Sequence, residues 1–287
     1  MVKKEIIPHL KSSCLALGLT RINDAQPFAI LGSGFFIDEE GFFVTADHVA
    51  NGMVETREAF RTKGVELEYR GFWFENIDDE RGQLVSIKTE HGRGIQINIP
   101  ELKEFFPENQ DLYIGKLSGT GKFPYLNFFK PTKIQVFDEI FMCGYPRGKH
   151  SLRTQDQSSG NRFSPILQYG RIASLLPTDH SHNPFGIQTD IIGTGGSSGS
   201  PIVDADTEQV LGIAQNVIPA STNVSTNDKS ASAKIGLVWG ISNYFVTDVI
   251  TKMLKVLKTE FGDNGRPLVD LPDRVSITDE FNPKKLF

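Results

Sequence analysis

From Ser12 to Ser242 the chain is built of short runs of aliphatic, β-branched and aromatic residues, each closed within a few positions by Gly, Pro, Asn or Asp. That rhythm argues for an all-β sandwich or barrel. The runs Cys14 to Leu19, Gly34 to Ile37, Phe42 to Ala46, Val65 to Phe72, Gln83 to Lys88, Ile95 to Ile99 and Leu112 to Leu117 are expected as strands of a first unit. Glu139 to Gly144, Ile166 to Leu175, Gly186 to Thr189, Pro201 to Asp204, Gln209 to Asn216 and Leu237 to Ile241 are expected as strands of a second. Between them Leu117 to Pro124 is rich in breakers and reads as the crossing linker. The period changes at Asn243 to Phe261, where Phe245, Val249, Ile250, Met253, Leu254 and Leu257 recur at helical spacing, with Gly262 just beyond. This predicts a helix that docks on the β units. Asp263 to Phe287 is a tail, ordered only if it docks.

Composition narrows the function classes. At 287 residues the chain can form one large domain or two small ones. A formal net charge of -5 provides no basic field for nucleic acid. Two cysteines, Cys14 and Cys143, are too few for a secreted disulfide framework and fit a reducing compartment. The N-terminus has Lys3 and Lys4, as a signal peptide would, but Glu5, Pro8 and Lys11 break the apolar stretch that must follow. No run of ~18 apolar residues offers a membrane span. A cytoplasmic protein with no nucleic-acid or membrane partner is expected.

The densest chemistry lies in Gly196-Ser197-Ser198-Gly199-Ser200-Pro201, small residues on both sides of a serine just ahead of the apolar pair Ile202-Val203. A serine hydroxyl is a weak nucleophile without a base and an orienting carboxylate. The chain offers both, His48 at the end of Phe42-Phe43-Val44-Thr45-Ala46-Asp47 and Asp111 at the head of Leu112-Tyr113-Ile114-Gly115. By composition alone Ser197 and Ser200 compete with Ser198. Asp47 adjoins the base, but neighbours in a strand point to opposite faces, which favours Asp111 as the orienter. His180-Ser181-His182 suggests a metal pair, yet it sits between Pro177 and Pro184 with no Cys or acidic cluster to complete a zinc set. Neither a metal nor a cofactor is expected.

The order His48, Asp111, Ser198, with these local contexts, resembles the trypsin/chymotrypsin-like serine proteases, their bacterial HtrA-type members above all. Gly32-Ser33-Gly34-Phe35-Phe36-Ile37 is similar to the family's glycine-flanked strand before the histidine. Asp111-Leu112-Tyr113-Ile114-Gly115-Lys116-Leu117, Ile187-Gln188-Thr189-Asp190, Val210-Leu211-Gly212-Ile213 and Gly236-Leu237-Val238-Trp239-Gly240-Ile241 are similar to later family segments in the family's order. The likeness spans about Leu15 to Ile250. It implies two six-stranded Greek-key β-barrels, about 12-118 and 125-242, a C-terminal α-helix about 243-261 completing a protease domain over 1-262, and a tail over 263-287. The family pattern selects Ser198 as nucleophile, with His48 as base and Asp111 as orienter. It implies Gly196 and Ser198 as N–H donors of an oxyanion hole, Ile192 at the base of the primary specificity pocket, and Gly236 near its wall. Ala214, Gln215 and Asn216 would offer backbone to an extended substrate.

On this resemblance the chain is a serine endopeptidase acting on polypeptides, with a preference for a small or apolar residue before the scissile bond. Ser197 stands where secreted relatives have an aspartate that pairs with a cut N-terminus, so activation by N-terminal cleavage is not expected, and Ser200 replaces a glycine. The chain between His48 and Asp111 is long for the HtrA type. The surplus at Arg57 to Leu102 reads either as longer barrel hairpins or as an insertion beside the cleft. The polar stretches Leu152 to Ser164 and Pro219 to Lys234 are expected as loops that a regulatory protein could order. No PDZ module is expected after the helix. Two other classes remain: a catalytically silent binding module, against which the intact trio argues, and an esterase, whose Gly-x-Ser-x-Gly elbow is missing.

Overall fold

The computed structural model describes residues 6–24, 26–76, 82–97, 110–118, 122–128, 130–131, 133–148, 164–219, 236–261 and 274–276. The elements are α1 (Ile6–Ser13), β1 (Cys14–Arg21), β2 (Ala29–Phe36), β3 (Phe42–Thr45), α2 (Asp47–Arg61), β4 (Leu67–Asn76), β5 (Gly82–Ile97) and β6 (Gln110–Leu117) in the first half. The second half holds β7 (Glu139–Gly144), β8 (Ile166–Leu176), β9 (Gly186–Gly193), β10 (Pro201–Asp204), β11 (Val210–Pro219), β12 (Gly236–Ser242), α3 (Asn243–Phe261) and β13 (Arg274–Ser276).

β7 to β12 form a closed barrel in the order β10-β11-β12-β9-β8-β7. In the first half the order is β5-β4-β1-β2-β3-β6, and β5 also pairs with β6, which brings the sheet round on itself with an irregularity between Glu90 and Arg93. β13, from the tail, adds to β5 in parallel. The expected strand over Gln83 to Lys88 and that over Ile95 to Ile99, as far as its described residues reach, belong to one 16-residue strand, β5. The polar, Gly-containing stretch between them is the site of the register irregularity and does not turn the chain. Between His48 and Asp111 the described residues form α2 and the paired strands β4 and β5.

β1 shows how the halves join. Its residues are buried on both faces, because successive side chains alternate across the strand. Leu15, Leu17 and Leu19 pack with Phe36, Phe43, Leu117 and Phe123 in the first core. Ala16 packs with Tyr145, and Cys14 shares a core with Cys143, both residues of the second half. That shared core also takes in Ile6 and Leu10 of α1 and Val246, Val249, Ile250, Met253 and Leu257 of α3. The C-terminal helix therefore closes the core, and Lys258 near its end pairs with Asp38 and Glu40 of the β2–β3 turn, both at 2.7 Å. The crossing linker is docked, with the Phe123 ring 5.0 Å from that of Phe36 and 5.4 Å from that of Trp73.

Candidate active site

His48 lies in the first turn of α2, where a strand-end setting was expected. The argument that separated Asp47 from His48 by strand alternation therefore fails. Asp47 points instead to its own helix, accepting from Asn51 Nδ2 at 2.9 Å. The residue preceding the helix is Ala46, which has no side chain to cap the orphan N–H groups of the first turn. Asp111, on β6, supplies the cap from across the sheet. Its Oδ1 accepts from the His48 backbone N–H at 2.6 Å and its Oδ2 from His48 Nδ1. One carboxylate thus fixes the histidine by backbone and ring together, and leaves Nε2 as the ring atom without a carboxylate. β3 pairs with β6 through Thr45↔Tyr113, which sets the end of β3, and so the start of α2, beside Asp111. The pair is open to solvent, with 52% of the His48 side chain and 27% of the Asp111 side chain exposed.

Ser198 lies on the turn between β9 and β10. Gly196 and Gly199 have φ of 96° and 84°, backbone that side chains strain to adopt. A Cβ on Gly196 would meet the Tyr145 carbonyl oxygen at 2.5 Å, and one on Gly199 would collide with the Ser33 carbonyl oxygen. The three serines of the turn differ. Ser197 and Ser200 are buried, the first with its Oγ accepting from the Thr194 N–H at 3.3 Å and the second packed against Gly144. Ser198 is half-buried, and its hydroxyl donates to the Gln215 carbonyl at 3.0 Å.

The backbone of the turn is held on every side. Ser197 N–H donates to Thr194 O at 3.0 Å, Ser200 N–H to Ser197 O at 3.1 Å and Gly199 N–H to Ala214 O at 2.7 Å. Ala214 N–H returns a bond to Ser200 O at 2.9 Å. Both backbone groups of Ala214 are therefore engaged by the turn. Gln215 is the bulged residue of β11 and is buried, whereas Asn216 is exposed. Two carbonyls have a consequence for the N–H groups across their peptides, since C=O and N–H of a trans peptide point in opposite directions. Gly195 O accepts from Arg147 N–H at 2.5 Å and Ser197 O accepts from Ser200 N–H. Gly196 N–H and Ser198 N–H are thereby turned away from those partners.

Ile192 lies on the outward face of β9 with 59% of its surface exposed, register-paired with Leu237, itself 38% exposed. Gly236 pairs with Gly193 at the head of β12. The loop expected to border this face, at 220–234, lies outside the described residues, as does the loop at 152–163. Sequence reasoning missed Ser33, Thr45, Tyr145 and Arg147, which surround the serine turn. The one local signal was Ser33 between two glycines.

A family model described as the trypsin-like peptidase domain matches residues 32–213, from the strand bearing Ser33 to β11. The chain belongs to the trypsin-like peptidase family. It is a serine protease, a hydrolase whose substrates are polypeptides. No curated protein matches the sequence. Among solved structures the chain is similar to the HtrA-type protease AlgW with a decapeptide, at TM-score 0.51 and 15% identity, covering 87% of this chain and 66% of that one. It is also similar to Deg5 (TM-score 0.49, 16% identity, covering 89% and 93%) and to the MamO protease domain from Magnetospirillum magneticum (0.47, 15%, 85% and 97%). At these identities the likeness to AlgW speaks for the fold of the chain.

Proposed function

We propose that this trypsin-like protease is an endopeptidase that works through Ser198, His48 and Asp111. The observation that carries the reading is the double contact of Asp111 with His48, which holds Nδ1 as a donor and leaves Nε2 to take a proton. In this scheme Ser198 Oγ attacks the scissile carbonyl and loses its proton to His48 Nε2. The imidazolium, steadied by Asp111, passes that proton to the leaving amine, and water then hydrolyses the acyl-enzyme by the reverse roles. The Gly196 and Ser198 N–H groups, turned from the partners of their own peptides, are the donors for the tetrahedral oxyanion. Removing one such donor raises the barrier by ~3 kcal/mol. The preference for a small or apolar residue before the scissile bond rests on the family resemblance, in which the pocket-base position is held by Ile192 and not by an acidic residue.

A second reading is favoured by one contact. The Ser198 hydroxyl donates to Gln215 O, so attack requires that its proton leave this acceptor for His48. A regulatory protein that acts on the cleft would control activity through that exchange. Digestion of a peptide library tests the first reading: cleavage after small or apolar residues, absent from Ser198→Ala, is expected. A profile dominated by Lys or Arg would overturn the specificity, and cleavage surviving in Ser198→Ala would overturn the triad.

A further inference from the structure

We infer that Ser33 is a positioning residue for catalysis, the brace that keeps the oxyanion donors of the Ser198 turn in place; this rests on the triad reading above. Ser33 belongs to β2 of the first barrel and is fully buried. Its hydroxyl donates to Gly196 O at 2.7 Å and accepts from Tyr145 N–H at 2.8 Å. Its own N–H donates to Ser198 O at 2.8 Å, and its carbonyl accepts from Thr45 Oγ1 at 2.6 Å. One residue therefore grips the serine turn on both sides of the nucleophile, at the carbonyls of Gly196 and Ser198.

The second grip comes from the turn Tyr145-Pro146-Arg147-Gly148, closed by Gly148 N–H to Tyr145 O at 3.0 Å. Arg147 has φ of 66°, a left-handed conformation unusual outside glycine and asparagine. In that conformation its N–H reaches Gly195 O. The plane of the Gly195–Gly196 peptide is thus pinned by Arg147 at one end, and the Gly196–Ser197 peptide is pinned by Ser33 at the next. The Tyr145 N–H that Ser33 accepts anchors the same 145–148 turn, so the two grips share one hydroxyl. Without it the Gly196 carbonyl and the Tyr145 N–H both lose their partner, and the turn whose Arg147 N–H holds Gly195 O loses one of its anchors, so the Gly196 N–H is held less firmly toward the hole. No substrate contact is needed for this role. It lives in the transition state, because the oxyanion exists only there.

A small shift of aligned groups is enough to cost a rate factor on the order of 10²-fold. The test compares wild-type protein, Ser33→Ala and Ser33→Cys on one cleaved peptide, with a peptide boronate as the probe of tetrahedral binding at Ser198. For Ser33→Ala, kcat is expected to fall about 10²-fold with KM within about threefold, and boronate affinity to fall in parallel with kcat. Ser33→Cys retains a weak donor and acceptor at the same position and is expected between the two. Leu67→Ala, a core truncation away from the turn, is expected to lower the melting temperature while leaving kcat and boronate affinity unchanged. A Ser33→Ala protein that keeps kcat and boronate affinity would overturn the inference, as would a Ser33→Cys protein indistinguishable from wild type if Ser33→Ala does not fold. A wild-type protein that the boronate does not inhibit would remove the triad reading and this one together.

Discussion

The Ser198 turn and the His48–Asp111 pair are secured by different means. The Ser198 turn is held by hydrogen bonds with Ser33, Arg147 and Ala214, two of them reaching across from Ser33 of the first barrel. The His48–Asp111 pair is held by a single carboxylate at the solvent boundary. Ser198 is therefore built into the junction of the two halves, where moving it means moving the fold. His48 is attached to the first turn of one helix, with half of its side chain exposed to solvent. Catalysis and stability should separate on the His48 side and travel together on the Ser198 side.

Asp111 offers the largest break. Asp111→Asn is expected to lower kcat by ~10⁴, because the amide donates where the carboxylate accepted and presents the wrong ring nitrogen to the serine. Stability should hardly change, since the amide oxygen can still cap the His48 N–H. Asp111→Ala should match that rate loss and in addition lose about 1 kcal/mol of stability with the cap. Peptide hydrolysis and urea unfolding on both variants check the pair, and equal stability of the two would deny the capping role. On the other side, Gly199→Ala puts a methyl group against Ser33 O and Thr45 Oγ1 at a positive φ. It is expected to lose about 3 kcal/mol together with activity. A folded Gly199→Ala protein of wild-type stability would show that the turn is less tightly held than the geometry says.

The smallest effect is read at the thiols. Cys14 and Cys143 are buried, free and in contact with each other where the barrels meet. Burial, reinforced by the hydrogen bond with Cys143, pushes the Cys14 thiol well above its ordinary range. A thiolate is the reactive form. Neither cysteine should react with a thiol dye in the folded protein, and both should react in urea. Rapid labelling of either in the folded state would mean that the junction opens.

Much of this division was legible in the residues. The serine turn announces itself because small residues must crowd a strained backbone, and α3 because its apolar positions repeat with the helical period. α2 did not. Only Val49, Ala50 and Met53 of its residues are buried, too narrow a stripe to outweigh the β run that leads into it. Its cap is Asp111, far along the chain, so no local signal marks its start. The joining of two expected strands into β5 was hidden by the polar, Gly-containing residues between them, which interrupt the apolar pattern. The braces of the serine turn were hidden for another reason. Arg147 and Ala214 act through backbone groups that every residue type carries, and Ser33 differs from any other buried serine only by what the fold brings to it.

The central claim, that Ser198 is a nucleophile activated by His48 from the opposite barrel, is tested most directly by exposing the purified protein to a fluorophosphonate and mapping the adduct by peptide mass spectrometry. The expected result is a single adduct on Ser198, absent from Ser198→Ala and lost with His48→Ala. Modification of Ser197 or Ser200 instead, or labelling of Ser198 that persists undiminished in His48→Ala, would contradict it.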